Sequence, residues 1–158
     1  MNPEELAAVL NANSDGYNQA MGVRFLRVSR DEVVAELDVG PANRQPYGIV
    51  HGGVHAGLAE TLASVGAAID ALQTGRIVVG LENHTSFIRA VREGRLTATA
   101  TPLTRGRRSQ LWECRIQDAE ARLVATGRVR LLVMEPEGEL GASAAAAREA
   151  ITEPTSKE

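Results

Sequence analysis

The sequence has few aromatic residues, a single cysteine and no long apolar run. Only 3% of its 158 residues are aromatic, so a surface of rings that stack on single-stranded nucleic acid is not expected. Cys114, the one cysteine, excludes an intrachain disulfide and a cysteine-based zinc cluster, as is typical of a reducing compartment. No segment reaches the about 18 apolar residues of a membrane span, and the start MNPEELAAVL lacks the basic residues of a signal peptide. A cytoplasmic location is therefore expected.

The chain also lacks any long block of basic residues. Its formal net charge is -3 and its sequence pI is about 5.7, so neither nucleic acid nor an anionic membrane surface is an expected partner. The length fits one domain. Hydrophobic residues make up 44% and charged residues 23%, the ordinary balance of a globular protein.

Hydrophobic periodicity predicts an α+β fold. Asn2-Pro3-Glu4-Glu5 predicts a capped helix over about 3–12. Alternating runs predict a β-hairpin at 23–28 and 33–39, a loop over 41–48, and four further strands at about 76–91, 94–104, 108–118 and 122–134. Turns at 92–94, 105–107 and 118–120 predict that these four strands form a meander.

The longest helix is predicted over 51 to about 73, where the apolar period changes from 2 to 3.6. One stripe of it is large and apolar: Val54, Leu58, Leu62, Val65, Ile69 and Leu72. The opposite face is small: Gly53, Ala56, Ala59, Glu60, Ala63, Ser64 and Ala67. The stripe is expected to pack inside a wrapping sheet. The small face is expected to be buried against a second subunit, because a solvated face would carry several Lys, Glu and Arg residues.

Glu60 is the one formally charged residue between Gly52 and Ile69, with Ser64 one turn further along the same face. Such a carboxylate can act as a general base or a nucleophile, and an ordinary solvated acid is the alternative. Gly52 lies in the first helical turn, where a free N–H can polarise a carbonyl, unless the glycine only serves a tight turn. About 12 Å of helix separates Gly52 from Glu60, so acting on one carbonyl would require antiparallel helices from two subunits.

His51 and His55 stand at an i, i+4 spacing and superficially resemble a zinc-binding helix. The HExxH spacing is absent, since glycine follows His51, and no metal is expected. We expect His51 to be a structural donor at the loop–helix junction and His55 to be a packed or interface histidine.

The motifs QPYG at 45–48 and HGG at 51–53, followed by Glu60 and Ser64, resemble those of the hotdog-fold acyl-CoA thioesterases. The resemblance spans about 22–134 and is to the 4-hydroxybenzoyl-CoA and 1,4-dihydroxy-2-naphthoyl-CoA subgroup, in which the acid is a helical Glu; the phenylacetyl-CoA thioesterases carry Asp there. It implies a curved antiparallel sheet around one helix, a homodimer that pairs into a dimer of dimers, and hydrolysis of an aromatic or bulky acyl-CoA. No cofactor is implied, since CoA is part of the substrate.

The resemblance also implies roles for single residues. Gln45 would contact the thioester, the Gly52 N–H would hold its oxygen, Glu60 would be the nucleophile or base, and Ser64 would help to place water, with His51 beside them in the motif. The expected substrate- and CoA-binding residues are Gly80, Phe87, Arg89, Gly106, Arg107, Arg108 and Ser109. The expected organisation is a helical extension over 1–20, the thioesterase domain over 21–134 and an Ala/Glu-rich tail over 135–158, either a frayed helix or disordered.

Two other function classes remain open. A hotdog enoyl-CoA hydratase or dehydratase would use a histidine base, for which His51 is available, paired to an acid. A non-catalytic dimer would bind acyl-CoA without hydrolysing it. The position of Glu60 at the thioesterase spacing favours hydrolysis, by direct attack or through water.

Overall fold

The computed structural model describes residues 1–152 as a six-stranded antiparallel sheet packed around one long helix. The elements in chain order are α1 (Pro3–Ala12), α2 (Gly16–Met21), β1 (Arg24–Val28), β2 (Val33–Asp38), a 3₁₀ turn (Pro41–Asn43), α3 (Gly52–Leu72), β3 (Ile77–Phe87), β4 (Arg95–Arg105), β5 (Ser109–Gln117), β6 (Leu123–Met134) and α4 (Gly138–Thr152). This confirms the predicted α+β class and the order of two strands, one long helix and four strands.

The strand order in the sheet is β1-β2-β4-β5-β6-β3. β4, β5 and β6 form a meander, but the prediction that β3 belongs to it beside β4 is wrong. β2 already occupies that side of β4, with Val33 opposite Ala100. β3 pairs instead with β6, where Phe87 lies opposite Ala125. β3 is therefore an edge strand.

The side of α3 that packs on the sheet includes small residues that the sequence pattern had placed on the opposite face. Ala59, Ala63 and Ala67 are fully buried against the chain's own core, so the prediction that they face a second subunit is wrong. Small residues are needed because bulky groups of the sheet approach the helix closely. The Trp112 ring lies where a Cβ on Gly66 would come within 2.3 Å of it. Glu60 and Ser64 remain half-buried, outside this core.

A buried polar chain fixes Trp112 and ties β5 to α3. The Trp112 Nε1–H donates to Gln110 Oε1 at 2.9 Å, and Gln110 Nε2 donates to Asp70 Oδ2 at 2.9 Å. Asp70 in turn forms an ion pair with Arg30 at 3.0 Å. Because buried polar groups are costly when unpaired, these bonds hold the indole in one orientation.

α1 is confirmed where the capping signal predicted it. Asn2 Oδ1 accepts the Glu5 N–H at 2.8 Å and the Glu5 carboxylate accepts the Asn2 N–H at 2.8 Å, a capping box. The side chain of Asn11 bonds both backbone groups of Phe25. α1 is thereby attached to β1, the other edge strand of the sheet.

α2 was not predicted as a separate helix within the helical extension over 1–20, and it lies on the outer face of α3. A Cβ on Gly57 would lie 2.0 Å from the Tyr17 hydroxyl, so the two elements touch at this glycine. Thr61 Oγ1 donates to Asn18 Oδ1 at 3.0 Å. The part of α3 that carries Gly57 and Thr61 is therefore covered by the chain itself.

Residues 138–152 form α4, so the helical alternative holds for that part of the tail, and 153–158 lie outside the described residues. A cavity of about 310 Å³ beneath α4 contains none of the candidate site residues. Within 1–152, no helix is both long and apolar enough to cross a membrane.

Candidate active site

The N-terminus of α3 presents a free backbone donor at Gly52. His51 caps the helix, but as an acceptor and not as the predicted donor: its Nδ1 accepts the Gly53 N–H at 2.8 Å. The Gly52 N–H donates no hydrogen bond to any residue of 1–152. Since the positive end of the helix dipole lies at the same turn, this N–H is suited to hold a developing oxyanion.

Phe87, at the end of β3, packs directly on Gly52. A Cβ on residue 52 would lie 2.7 Å from the Phe87 ring, so a larger residue would force the ring away. Phe87 is nevertheless 61% exposed in the single chain. Its ring forms one wall beside the free N–H.

The loop before α3 directs the amide of Gln45 toward the same place. Gln45 O accepts the Gly48 N–H at 2.8 Å, and Gly48 has the positive φ of 75° that this turn requires. Gln45 Oε1 accepts the Tyr47 N–H at 2.7 Å. With its oxygen engaged, Gln45 keeps its NH₂ group available for a ligand.

A cavity of about 300 Å³ joins these groups. Its lining residues are Gln45, Ile49, Val50, Gly52, His55, Phe87, Ile88, Arg89 and Ala90. Four of them, Gln45, Gly52, Phe87 and Arg89, are predicted site residues, and the structure brings them together.

His55 lines this cavity, although the sequence predicted only a packed or interface histidine. It is 3% exposed and its ring centroid lies 6.0 Å from that of Phe87. Burial lowers the pKa of His55 below its ordinary value, so the ring is neutral near pH 7. Its Nδ1 has no hydrogen-bond partner within 1–152.

Glu60 is held from two sides. Ser64 Oγ donates to Glu60 Oε1 at 3.4 Å, the i, i+4 pair that the sequence predicted. Asn83 Nδ2 on β3 donates to Glu60 Oε2 at 3.0 Å. A Cβ on Gly80 would lie 2.6 Å from Glu60 Oε1, so the carboxylate rests directly on this glycine. The predicted residues Glu60, Ser64 and Gly80 are therefore together.

Asn83 is a site residue that sequence reasoning did not single out. Its Oδ1 accepts a hydrogen bond from Thr85 Oγ1 at 2.7 Å, which directs the Nδ2 group toward Glu60. The same Nδ2 donates to Ala56 O at 3.0 Å. The one signal available was its position in the segment NHTSF at 83–87, where polar residues follow an apolar strand start.

The two halves of the site lie apart in one chain. Glu60 does not line the cavity that contains Gly52 and Gln45. The eight residues between Gly52 and Glu60 amount to about 12 Å of helix. One chain thus presents a carboxylate at one place and a free backbone N–H at another.

The predicted CoA-binding residues are also divided. Gly106 N–H closes the β4–β5 turn on Ser109 O at 2.8 Å, and Ser109 lies opposite Leu132. Arg89 bonds through its N–H to Val124 O. Since Val124 and Leu132 are eight residues apart on β6, Arg89 lies roughly 27 Å along the sheet from the turn that carries Arg107 and Arg108.

No group of three or more His, Cys, Asp and Glu residues within 1–152 is placed to hold a metal ion. His51 Nδ1 is used in the helix cap and His55 is enclosed, which leaves the i, i+4 histidine pair without a zinc-binding arrangement.

Three relatives connect this architecture to known proteins. A protein of Mycobacterium tuberculosis (strain H37Rv) named as a candidate esterase is 40% identical over 121 residues, which cover 75% of this chain and 86% of that protein. The proofreading thioesterase EntH of Cronobacter turicensis is 38% identical over 126 residues, covering 79% and 91%. The crystal structure of thioesterase HI1161 from Haemophilus influenzae superposes with a TM-score of 0.78 at 31% identity, covering 88% of this chain and 99% of that one.

The family model of the thioesterase superfamily matches residues 47–125, which include the HGG motif, α3 and β3 to β5. Together with the sheet order and the relatives, this match identifies the chain as a thioester hydrolase of the thioesterase superfamily with the hotdog fold.

Proposed function

We propose that the protein is an acyl-CoA thioesterase that cleaves aromatic or bulky acyl-CoA, at sites that two subunits share. One observation carries the proposal. A carboxylate held at Glu60 and a free donor at Gly52 are both present, yet they are too far apart in one chain to act on one bond. A second copy of the chain supplies the missing half of each site.

A single two-fold axis would bring together the site residues on both α3 and β3. Ala56 is midway between Gly52 and Glu60 on α3, and Asn83 is close to midway between Gly80 and Phe87 on β3. Asn83 Nδ2 donates to Ala56 O, so these midpoints touch. An axis there brings Glu60 to Gly52 of the partner subunit. It also brings Gly80 to Phe87 of the partner subunit.

The exposed edge of β3 supports this assembly. Leu81 and Phe87 of β3 are 56% and 61% exposed, Ile88 directly after the strand is 53% exposed, and β3 pairs on one side only. An unprotected apolar edge strand favours pairing with another strand. Antiparallel pairing of β3 with β3 of a second subunit would cover this edge. Pairing of two such dimers is implied by the resemblance alone.

The proposed reaction uses water, the Gly52 N–H and the side chains around the two parts of the site. The Gly52 N–H and the Gln45 amide of one subunit polarise the thioester carbonyl. Glu60 of the other subunit either attacks the acyl carbon, forming an anhydride that water then opens, or takes a proton from the attacking water. The C–S bond breaks in both routes, and CoA leaves as the thiol beside a free acid. Ser64 and Asn83 hold the carboxylate in position.

The same axis would also bring together the residues expected to bind the CoA moiety. A two-fold rotation reverses the strand direction, so it places Arg89 of one subunit toward the end of the sheet that carries the partner's β4–β5 turn. Arg107, Arg108 and Ser109 stand in or beside that turn. Guanidinium groups suit the bidentate recognition of phosphates. We assign the nucleotide phosphates to this shared surface.

Replacement of Glu60 by glutamine tests the chemistry. Glu60→Gln keeps the size of the side chain and one oxygen for Ser64, so folding should be retained while kcat falls by a factor on the order of 10² or more. Thiol release from benzoyl-, phenylacetyl- and medium-chain acyl-CoA measures the rate. Glu4→Gln makes the same change on an exposed position of α1 and should leave turnover unchanged.

Background turnover by the wild-type protein with all of these substrates would contradict hydrolysis. In that case tight binding of acyl-CoA would indicate a binding dimer, and hydration of crotonyl-CoA without thiol release would indicate a hydratase. A single turnover in heavy-oxygen water separates the two thioesterase routes, because only the anhydride route leaves label in Glu60.

A further inference from the structure

We infer that the cavity of about 310 Å³ beneath α4 is the subsite for the adenine ring of CoA. The inference rests on the proposed function, since it takes the CoA phosphates to lie at the β4–β5 turn. Two independent observations carry it. The cavity adjoins that turn, and its distance from Glu60 matches the part of CoA that separates the thioester from the nucleotide.

Arg76 connects the cavity to the β4–β5 turn. It lines the cavity, and its Nη1 donates to Arg107 O at 3.0 Å. The same turn is fixed to the end of β6, where the Val133 N–H donates to Arg108 O at 2.9 Å. The turn therefore lies within one side-chain length of the cavity. Because adenosine follows the pyrophosphate in CoA, phosphates held at the turn direct the base into the cavity.

The distance along α3 fits the length of CoA. Leu72, which lines the cavity, follows Glu60 by 12 residues, about 18 Å of helix. The extended pantetheine arm, which separates the thioester from the pyrophosphate, spans such a distance. The acyl group is bonded directly to the thioester carbon and must lie near Glu60. The nucleotide, and not the acyl group, therefore reaches this end of α3.

The lining of the cavity suits a planar base. Its apolar walls are formed by Leu72, Ile77, Pro136, Ala144 and Ala145. Arg76 and Arg148 add guanidinium groups, which stack on flat rings, and Glu149 adds a carboxylate. A carboxylate accepts hydrogen bonds, so it matches the exocyclic amino group of adenine. A volume of about 310 Å³ is small for a ligand site and fits a single base.

The charge around the cavity complements a phosphorylated ligand. The cavity wall and the adjoining turn carry four arginines: Arg76, Arg107, Arg108 and Arg148. The carboxylates here are Glu149 and Glu135, and Glu135 pairs with Arg76 at 3.1 Å. These groups together are positive in a chain whose formal net charge is -3. Such a local positive surface attracts an anionic nucleotide.

Enlarging one cavity residue tests the subsite without relying on turnover. Ala144→Phe fills the cavity, while Ala142→Phe adds the same ring at an exposed position of α4 outside the cavity wall. The probe is adenosine 3′,5′-bisphosphate, the nucleotide part of CoA, and titration calorimetry measures its Kd. Ala144→Phe should raise this Kd about tenfold or more, and Ala142→Phe should leave it within about threefold.

Steady-state kinetics separate the nucleotide from the chemistry. With benzoyl-CoA, Ala144→Phe should raise KM about tenfold and leave kcat near the wild-type value, because the lost contact is remote from the reacting bond. With the benzoyl thioester of N-acetylcysteamine, which lacks the nucleotide, Ala144→Phe and wild type should have equal kcat/KM values.

Photolabelling of the wild-type protein covers the case in which Ala144→Phe does not fold. On irradiation, 8-azidoadenosine 3′,5′-bisphosphate should attach within residues 72–77 or 136–149, as mapped by mass spectrometry of the digested protein. An excess of CoA should prevent the labelling.

No binding of the bisphosphate, equal Kd values in Ala144→Phe and wild type, or label outside both segments would overturn the adenine subsite. Thiol release from acyl-CoA would then still support hydrolysis. Binding and labelling at the cavity of a protein that hydrolyses none of the acyl-CoA substrates would instead contradict the proposed function alone.

Discussion

At the scale of single residues, the contact with Gly80 determines where the carboxylate of Glu60 can lie. A methyl group at Gly80 would enter within 2.6 Å of Glu60 Oε1. Gly80→Ala should therefore displace the carboxylate and lower kcat by about tenfold or more, because misplacement by about 1 Å is costly in catalysis.

Gly40→Ala is the matched control for this substitution. Its Cβ would meet Asn43 Oδ1 at an ordinary 3.7 Å, and no positive φ is involved. Steady-state kinetics on both variants, with thermal unfolding to check the fold, measures the difference. Equal kcat values in Gly80→Ala and wild type would show that the close approach has no part in catalysis.

Cys114 should be chemically silent in the folded protein. Burial raises the pKa of its thiol to about 12, so the reactive thiolate is scarce at neutral pH. A disulfide reagent should label Cys114 only after denaturation, and assays that count released CoA thiols should have no background from it. Rapid labelling of native protein would contradict the burial.

The site residues differ in how far the sequence could predict them. Ser64 follows from Glu60 by helical spacing, and Gly52 from its place in the first turn. Asn83 could not be predicted, because its bond to Glu60 requires that β3 lie beside α3. The separation of 23 positions along the chain does not specify that. The position of His55 at the cavity could not be predicted either, because periodicity cannot distinguish a packed histidine from one that lines a cavity.

At the scale of elements, glycines set the distance between α3 and what covers it. On the sheet side, Gly66 faces the fully buried Trp112 ring, which its hydrogen bond to Gln110 keeps in place. Gly66→Ala should lower the free energy of unfolding by about 1–3 kcal/mol through overpacking. On the outer side, Gly57 meets the hydroxyl end of Tyr17, which is 55% exposed.

Gly57→Ala should cost less than Gly66→Ala, because Tyr17 can move toward solvent and alanine favours the helix by up to about 1 kcal/mol. Urea unfolding of both variants measures the two values. A larger loss for Gly57→Ala would mean that α2, and not the sheet, restricts the helix.

Periodicity predicted the elements better than their arrangement. Apolar alternation predicted a strand over about 94–104, and its alternating residues Leu96, Ala98 and Ala100 are all fully buried on one face of β4. The place of β3 beside β6 was missed because adjacency in the sequence was taken for adjacency in the sheet. α2 was missed because six residues are too few to show a helical period.

At the scale of the whole molecule, the residues of the proposed site are divided between two places in the single chain. The cavity with Gly52 and Gln45 lies at the N-terminus of α3, and Glu60 with Asn83 lies about two helical turns away. The distance between Gly52 and Glu60 follows from helix geometry and could be predicted from the sequence. The proposed axis through Ala56 and Asn83 could not, because it depends on the contact between α3 and β3.

Subunit mixing tests the shared site most directly. Gly52→Ala places a methyl group against Phe87 at the oxyanion donor, and Glu60→Gln removes the carboxylate, so each variant alone should be nearly inactive. In a hybrid dimer, one site carries both lesions and the other carries neither. Random mixing should therefore restore about a quarter of wild-type activity. Hybrids no more active than their parents would contradict the account, because each chain would then contain its own complete site.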